Sequence, residues 1–291
     1  MRWALPQQIR HNHAGFEALT QLHAQAKDLF LEDIEIDMGS TTWLDADMCA
    51  VFGAILYSLG DNLNTVDLVN IRPDVANVLS ESGFLSHYGR AEIPDSRGTK
   101  ISYQRFDYTD DRFFSGYIET ELMRRSEMPE MSKGLLKRFR ESIFEIFSNA
   151  VLHSNTTMGI FSCGQYFPRQ NKLDFTVADL GVGIRQNVGE YLGREISAIQ
   201  AIVWATEGNN TTKGGPVPGG LGLKLLGEFI DLNGGCLQIA SDAGYWRRSN
   251  KGSSSIPLGH PFPGTVVNIE VNTADTHSYI LSSEWDVDDI F

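Results

Sequence analysis

The stretch Ser132-Lys-Gly-Leu-Leu-Lys-Arg-Phe-Arg-Glu-Ser-Ile-Phe-Glu-Ile-Phe-Ser-Asn-Ala-Val-Leu-His153 decides how the rest of the chain is read. Its apolar residues Phe139, Ile143, Phe144, Ile146, Phe147, Ala150, Val151 and Leu152 spread around most of a helical circumference, which predicts a long, largely buried helix. Glu141, Glu145, Asn149 and His153 recur every four residues, and that spacing stacks them in one row on a single face. A carboxylate or an amide buried without partners costs on the order of several kcal/mol. The row is therefore expected to face a wet, polar or ligand-filled cavity. Glu145 suits the orienting or deprotonation of a water, and the Asn149 side-chain oxygen is a hard donor suited to Mg²⁺. Taken alone, the row reads more simply as a solvated polar stripe.

Two further elements follow it. The apolar segment Leu173 to Ala178 reads as a strand and runs into Asp179-Leu180-Gly181-Val182-Gly183. An aspartate at a strand end can accept a hydrogen bond from an exocyclic amine such as adenine's, and the glycines let backbone approach a flat ring. Further on, Gly219-Gly220-Leu221-Gly222-Leu223 opens a predicted helix after the loop Glu207 to Gly220. Free N–H groups and the helix dipole favour a phosphate there, with Thr212 and Lys213 as added donors. Each element alone is a common turn or capped loop. No GxxxxGK[ST] is present, and Gly181-Val182-Gly183 lacks the third glycine of a dinucleotide-binding fingerprint, so the P-loop and Rossmann readings fall away.

In their order, Glu145 to His153, Asp179 to Gly183 and Gly219 to Leu223 resemble the N, G1 and G2 boxes of the GHKL superfamily, which joins gyrase-type ATPases, the heat-shock chaperone ATPase, sensor histidine kinases and mismatch-repair ATPases. The resemblance covers roughly residues 100–275. It implies a Bergerat fold, a two-layer α/β sandwich, binding ATP with Mg²⁺. By that resemblance Asn149 holds the metal and Glu145 is the candidate base. Asp179 reads adenine beside Gly181 and Gly183, with His153 completing the first box. Gly219, Gly220, Leu221, Gly222 and Leu223 face phosphate, and Gly264-Thr265 is similar to the family's terminal Gly-Thr, whose threonine lies near the adenine. The chain departs from the family in two respects. No histidine-bearing helix pair is read ahead of the first box, and no transducer domain is expected after Val271.

Upstream, Ile34 to Met38, an apolar helix from about Asp45 to Leu59, Val66 to Val69 and a helix near Pro73 to Ser82 form a small α/β unit. Residues 33–86 resemble a STAS domain, the fold of anti-sigma-factor antagonists. Asp47 stands near the position of that family's phosphorylated serine, where it carries permanent charge, which makes the unit a docking or regulatory module. The expected division is residues 1–92, a STAS-like unit; 93–275, the ATP-binding unit; and 276–291, an acidic tail whose end is expected to be solvated. His11, His13 and His23 are expected at the surface of a polar N-terminal helix without a carboxylate cluster, and Ser241 to Pro263 as an inserted loop.

Composition bounds the partners. The 291 residues, 42% hydrophobic and with a formal charge of −13, fit a cored α/β (α+β) chain and argue against broad nucleic-acid binding. Cys49, Cys163 and Cys236 show no zinc spacing and read as buried thiols. No apolar run reaches the ~20 residues of a membrane span. The expectation is a cytoplasmic ATP/Mg²⁺ switch with slow hydrolysis controlling a partner protein, with a homodimer allowed. The alternatives are an anti-sigma-type serine/threonine kinase acting on a STAS-domain partner, and a non-catalytic interaction protein.

Overall fold

A computed structural model describes residues 1–153, 156–207, 210, 221–281 and 284; of His153 and Leu221 it describes the backbone alone. The first part of the chain forms β1 (Arg2–Ala4), β2 (Gln8–Ile9), α1 (His13–Ala26), β3 (Asp33–Asp37), β4 (Trp43–Leu44), α2 (Cys49–Asp61), β5 (Thr65–Val69) and α3 (Pro73–Glu81). A 3-10 turn, Ala46–Met48, leads into α2. Strands β1, β3 and β5 make a parallel sheet in that order, and β2 pairs with β4. Local chemistry explains the boundaries. Asn12 caps α1 by accepting from Gly15 N–H at 3.1 Å, Pro73 occupies the first turn of α3, and Gly83 at φ +77° follows its end.

The second part contributes β6 (Lys100–Phe106), α4 (Asp111–Ile118), α5 (Lys133–His153), β7 (Ile160–Phe167), β8 (Lys172–Asp179), α6 (Gly183–Leu192), α7 (Ala198–Thr206), α8 (Leu221–Asn233), β9 (Cys236–Ser249) and β10 (Gly252–Asn272). A single sheet runs β6-β7-β8-β10-β9 with every neighbouring pair antiparallel. The chain is thus mixed α and β, built on several sheets. Helix α6, in a stretch to which the sequence reading assigns no element, starts at Gly183 of the DxGxG turn.

Both faces of the five-stranded sheet are covered. On one, Leu173, Phe175 and Val177 of β8 and Val267 and Ile269 of β10 pack with Phe139, Ile143 and Phe147 of α5 and with Leu226, Phe229 and Ile230 of α8. On the other, Phe161, Cys163, Ala178, Ala240 and Val266 share a core with Phe16 and Leu19 of α1 and Phe52 and Ile55 of α2. The N-terminal unit therefore lies on the sheet rather than beside it. Its 3-10 turn is seated on Cys163, whose Sγ lies 3.0 Å from the carbonyl oxygens of Ala46 and Asp47 and accepts from Ala50 N–H at 3.1 Å.

The segment Ser241 to Pro263 is not an inserted loop. It is the outer half of the β9–β10 hairpin, and it straps α1. Tyr245 is buried against Phe16, Trp246 is buried on the opposite face, and Gly259 N–H donates to Glu17 Oε2 at 2.9 Å. Strand alternation sends the two aromatics to opposite sides of the hairpin, so neither is offered to solvent. Of the tail, Tyr279 bridges to Met131 and accepts at its carbonyl from Ser132 N–H at 2.8 Å, while Asp286 to Phe291 lie outside the described residues. All three cysteines are free and buried, and among the described residues no helix is long and apolar enough to cross a membrane.

Candidate functional site

Strand ends assemble the candidate site. Asp179, the last residue of β8, pairs with Ile160 at the start of β7 and with Thr265 in β10. The connection from His153 to Ile160 is short, so the C-terminal end of α5, carrying Glu145 and Asn149, lies toward this same end of the sheet. Alternation places Asp179 on the face of Phe175 and Val177, beneath the helices. Its side chain is buried, and Oδ1 has no hydrogen-bond partner. Burial raises its pKa to about 7, while the backbone N–H groups of Gly181 and Thr265 pull in the opposite direction.

The glycines beside it are required by space. A Cβ on Gly264, at φ +139°, would stand 2.0 Å from the Asp179 carbonyl oxygen and 2.8 Å from Gly181 N. Gly183, at φ +77°, is confined by Ser241 Oγ and the Gly264 carbonyl. Ser241 Oγ of β9 ties β10 and α6 together: it donates to Gly264 O at 2.8 Å, lies 3.2 Å from Thr265 Oγ1 and accepts from Ile184 N–H at 2.9 Å in the first turn of α6. Asp179, Gly181, Gly183 and Thr265 are thus brought to one place. In the sequence, Ser241 carries no signal beyond its position at the end of an apolar strand.

On the helix side, Glu145 joins α5 to α8. Its Oε2 accepts from Gly222 N–H at 3.0 Å, in the first turn of α8, and a Cβ on Gly222 would stand 2.7 Å from that oxygen. Gly222 is a glycine because α8 approaches α5 this closely, and Glu145 satisfies one of the donors left open at a helix start. Asn149 is half-buried one turn further along α5, and Leu223 packs partly into the helix-side core. Of the remaining expected site residues, Thr212, Lys213, Gly219 and Gly220 lie outside the described residues, as do the side chains of His153 and Leu221.

Two expectations for the N-terminal unit are corrected. His11 and His23 are not surface residues, with 9% and 8% exposure, although His13 remains partly exposed. His11 sits amid the carboxylates of Asp45, Asp47, Asp174 and Glu270 with Lys172 alongside, a cluster assembled by four distant segments. Burial works against the charged imidazole, and the charges of Asp47 and Asp174 outweigh it to raise the His11 pKa. Burial lowers that of His23 to about 4, with Lys27 adding to the effect. Asp47 is fully buried and hydrogen-bonded by Asn268 Nδ2 at 3.2 Å, so it presents no charge to a docking partner.

The sequence matches no protein-family model and no curated protein.

Proposed function

We propose that the chain is an ATP/Mg²⁺-binding regulatory protein of the GHKL, Bergerat-fold type, whose nucleotide state is read by a partner protein. The reading is carried by one observation: at a single end of the sheet, beneath the helices, a buried aspartate keeps an oxygen without a hydrogen bond beside the glycine-bearing turns of residues 181–183 and 264. An orphan acceptor of this kind is costly unless something donates to it, and an adenine amine is a donor of the right kind. The helix carrying Asn149 supports the same reading, because Glu145 ties it to the start of α8.

In this account Asp179 accepts from the base, with Gly181 and Gly183 giving the ring its approach and Thr265 beside it. Asn149 would hold Mg²⁺, and the bound nucleotide supplies a transferable phosphoryl group. Glu145, whose Oε2 is engaged by Gly222, positions the first turn of α8 toward phosphate as well as offering a carboxylate to water. Replacement of Asn149 by Ala is expected to remove Mg²⁺-dependent binding of a non-hydrolysable ATP analogue in calorimetry while leaving the thermal midpoint close to that of the unaltered protein. Equal affinity in the two proteins, with Mg²⁺ present, would take Asn149 out of the account.

A further inference from the structure

We propose that His11, Asp45 and Asp47 form a site for one divalent transition-metal ion, which ties the turn before α1 to the approach to α2 where the N-terminal unit meets the five-stranded sheet. The three donors come from the turn before α1 and from the approach to α2, and all are at least nine-tenths buried. Their facing atoms converge: His11 Nδ1 lies 3.0 Å from Asp45 Oδ2 and 3.6 Å from Asp47 Oδ1. Donor atoms around a tetrahedral ion with bonds of ~2.1 Å stand ~3.4 Å apart. Neither His11 Nδ1 nor Asp47 Oδ1 has a hydrogen-bond partner, although both are shut away from water. Asp47 Oδ1 in particular is a buried carboxylate oxygen with no donor, which a cation would satisfy.

The surroundings have the form of an outer ligand sphere. Asp45 Oδ1 is held by Trp43 Nε1–H at 2.6 Å while its Oδ2 accepts from His11 N–H at 3.2 Å, and Asp47 Oδ2 is held by Asn268 Nδ2 at 3.2 Å, which leaves Oδ1 of Asp47 for the centre. The distal imidazole nitrogen, Nε2, lies 3.3 Å from Glu270 Oε2. A second grouping, His11 with Asp174 and Glu270, is already served by the ammonium of Lys172, 2.8 Å from Nε2 and 3.3 Å from each carboxylate. An imidazole with two carboxylates favours Zn²⁺, Mn²⁺ or Fe²⁺ over Mg²⁺ or Ca²⁺.

The full chain, produced in medium supplemented with zinc and manganese and dialysed against metal-free buffer, is expected to retain about one transition-metal ion by elemental analysis. Stripping with a strong chelator should lower the thermal midpoint, and Zn²⁺ should restore it. Co²⁺ added to the stripped protein should give visible absorption bands that Asp47→Asn abolishes. Asn268→Ala, which leaves all three donors in place, should weaken Zn²⁺ binding by about 10–100-fold. Less than a tenth of an ion per chain, with a midpoint unmoved by chelator, Zn²⁺ or Mn²⁺, would overturn the proposal and leave a charge network that shares protons instead. Should Asp47→Asn not fold, the chelator and Co²⁺ measurements on the unaltered chain decide it alone.

Discussion

On one face of the five-stranded sheet, Leu173, Phe175 and Val177 of β8 lie under α5 and α8; on the other, Asp174 and Thr176 of the same strand lie under the N-terminal unit. Strand β10 repeats the contrast, with Val267 and Ile269 toward the helices and Asn268 and Glu270 toward His11 and Asp47. The first face holds together largely by apolar area, with Ser162 buried within it and Asp179 at the strand end carrying an oxygen without a hydrogen bond. The second joins an apolar core, with Phe161, Ala178, Ala240 and Val266 packed on α1 and α2, to a network of side-chain hydrogen bonds and charges whose geometry must be correct. Function on the first face is therefore expected to fail by local changes around Asp179, and attachment on the second by loss of individual polar partners.

The largest effect is expected at the strand-end turn. Gly264→Ala places a methyl group 2.0 Å from a backbone oxygen at a φ that an L residue resists, and should cost more than about 4 kcal/mol in urea unfolding or prevent folding. Gly193→Ala, also at positive φ but with nothing within 4 Å of the added carbon, should cost only about 1 kcal/mol. If the two variants unfold alike, the close packing of the turn on β8 is not what the glycine serves.

Asp179 gives the next effect, and its sign differs from that of a paired carboxylate. Its folded pKa of about 7 lies above the usual 3.8, so folded protein holds the proton while unfolded chain releases it between those values. Stability then falls as pH rises from about 4 to 7, by up to about 4 kcal/mol, and levels off above. Asp179→Asn should flatten that slope and abolish adenine-nucleotide binding, whereas in the unaltered protein the affinity should weaken as pH drops below 7, because the ionised carboxylate is the acceptor. A slope identical in the Asn variant would assign the titration elsewhere.

On the polar face, Asn268→Ala removes donations to Asp47 Oδ2 at 3.2 Å and Thr176 Oγ1 at 2.9 Å, and leaves Gln238 Nε2 without its acceptor. A loss of about 2–3 kcal/mol in urea unfolding is expected, larger than that of an apolar truncation of equal volume at a partly exposed position. The smallest effect belongs to the exposed strap. Glu17→Ala, which loses only its bond to Gly259 N–H, should cost at most about 1 kcal/mol.

The same contrast explains what could be read in the chain. Helix α5, strand β8 and helix α8 are legible because their periodicities and caps are local, and the DxGxG turn and Gly264-Thr265 are recognisable because close backbone approach demands glycine. The other face is not legible in that way. Alternation of Asp174 and Thr176 with apolar residues is the signature of a strand with one face in water, and only tertiary structure discloses that α1 and α2 cover it. His11 looks isolated because its carboxylates lie 34 to 259 residues away. The strap is obscured by Pro257, Pro261, Pro263 and four glycines from residue 244 to 264, which read as loop even though β9 and β10 pass through them with shifts of register.

The central claim is that the buried acceptor at the end of β8, the glycine turns beside it and the helix bearing Asn149 enclose one nucleotide. A crystal structure of the full chain with a non-hydrolysable ATP analogue and Mg²⁺ tests it most directly. The account predicts the adenine amine within hydrogen-bonding distance of Asp179 and the metal on Asn149. A nucleotide bound at any other place, or none bound at saturating concentration, would contradict it.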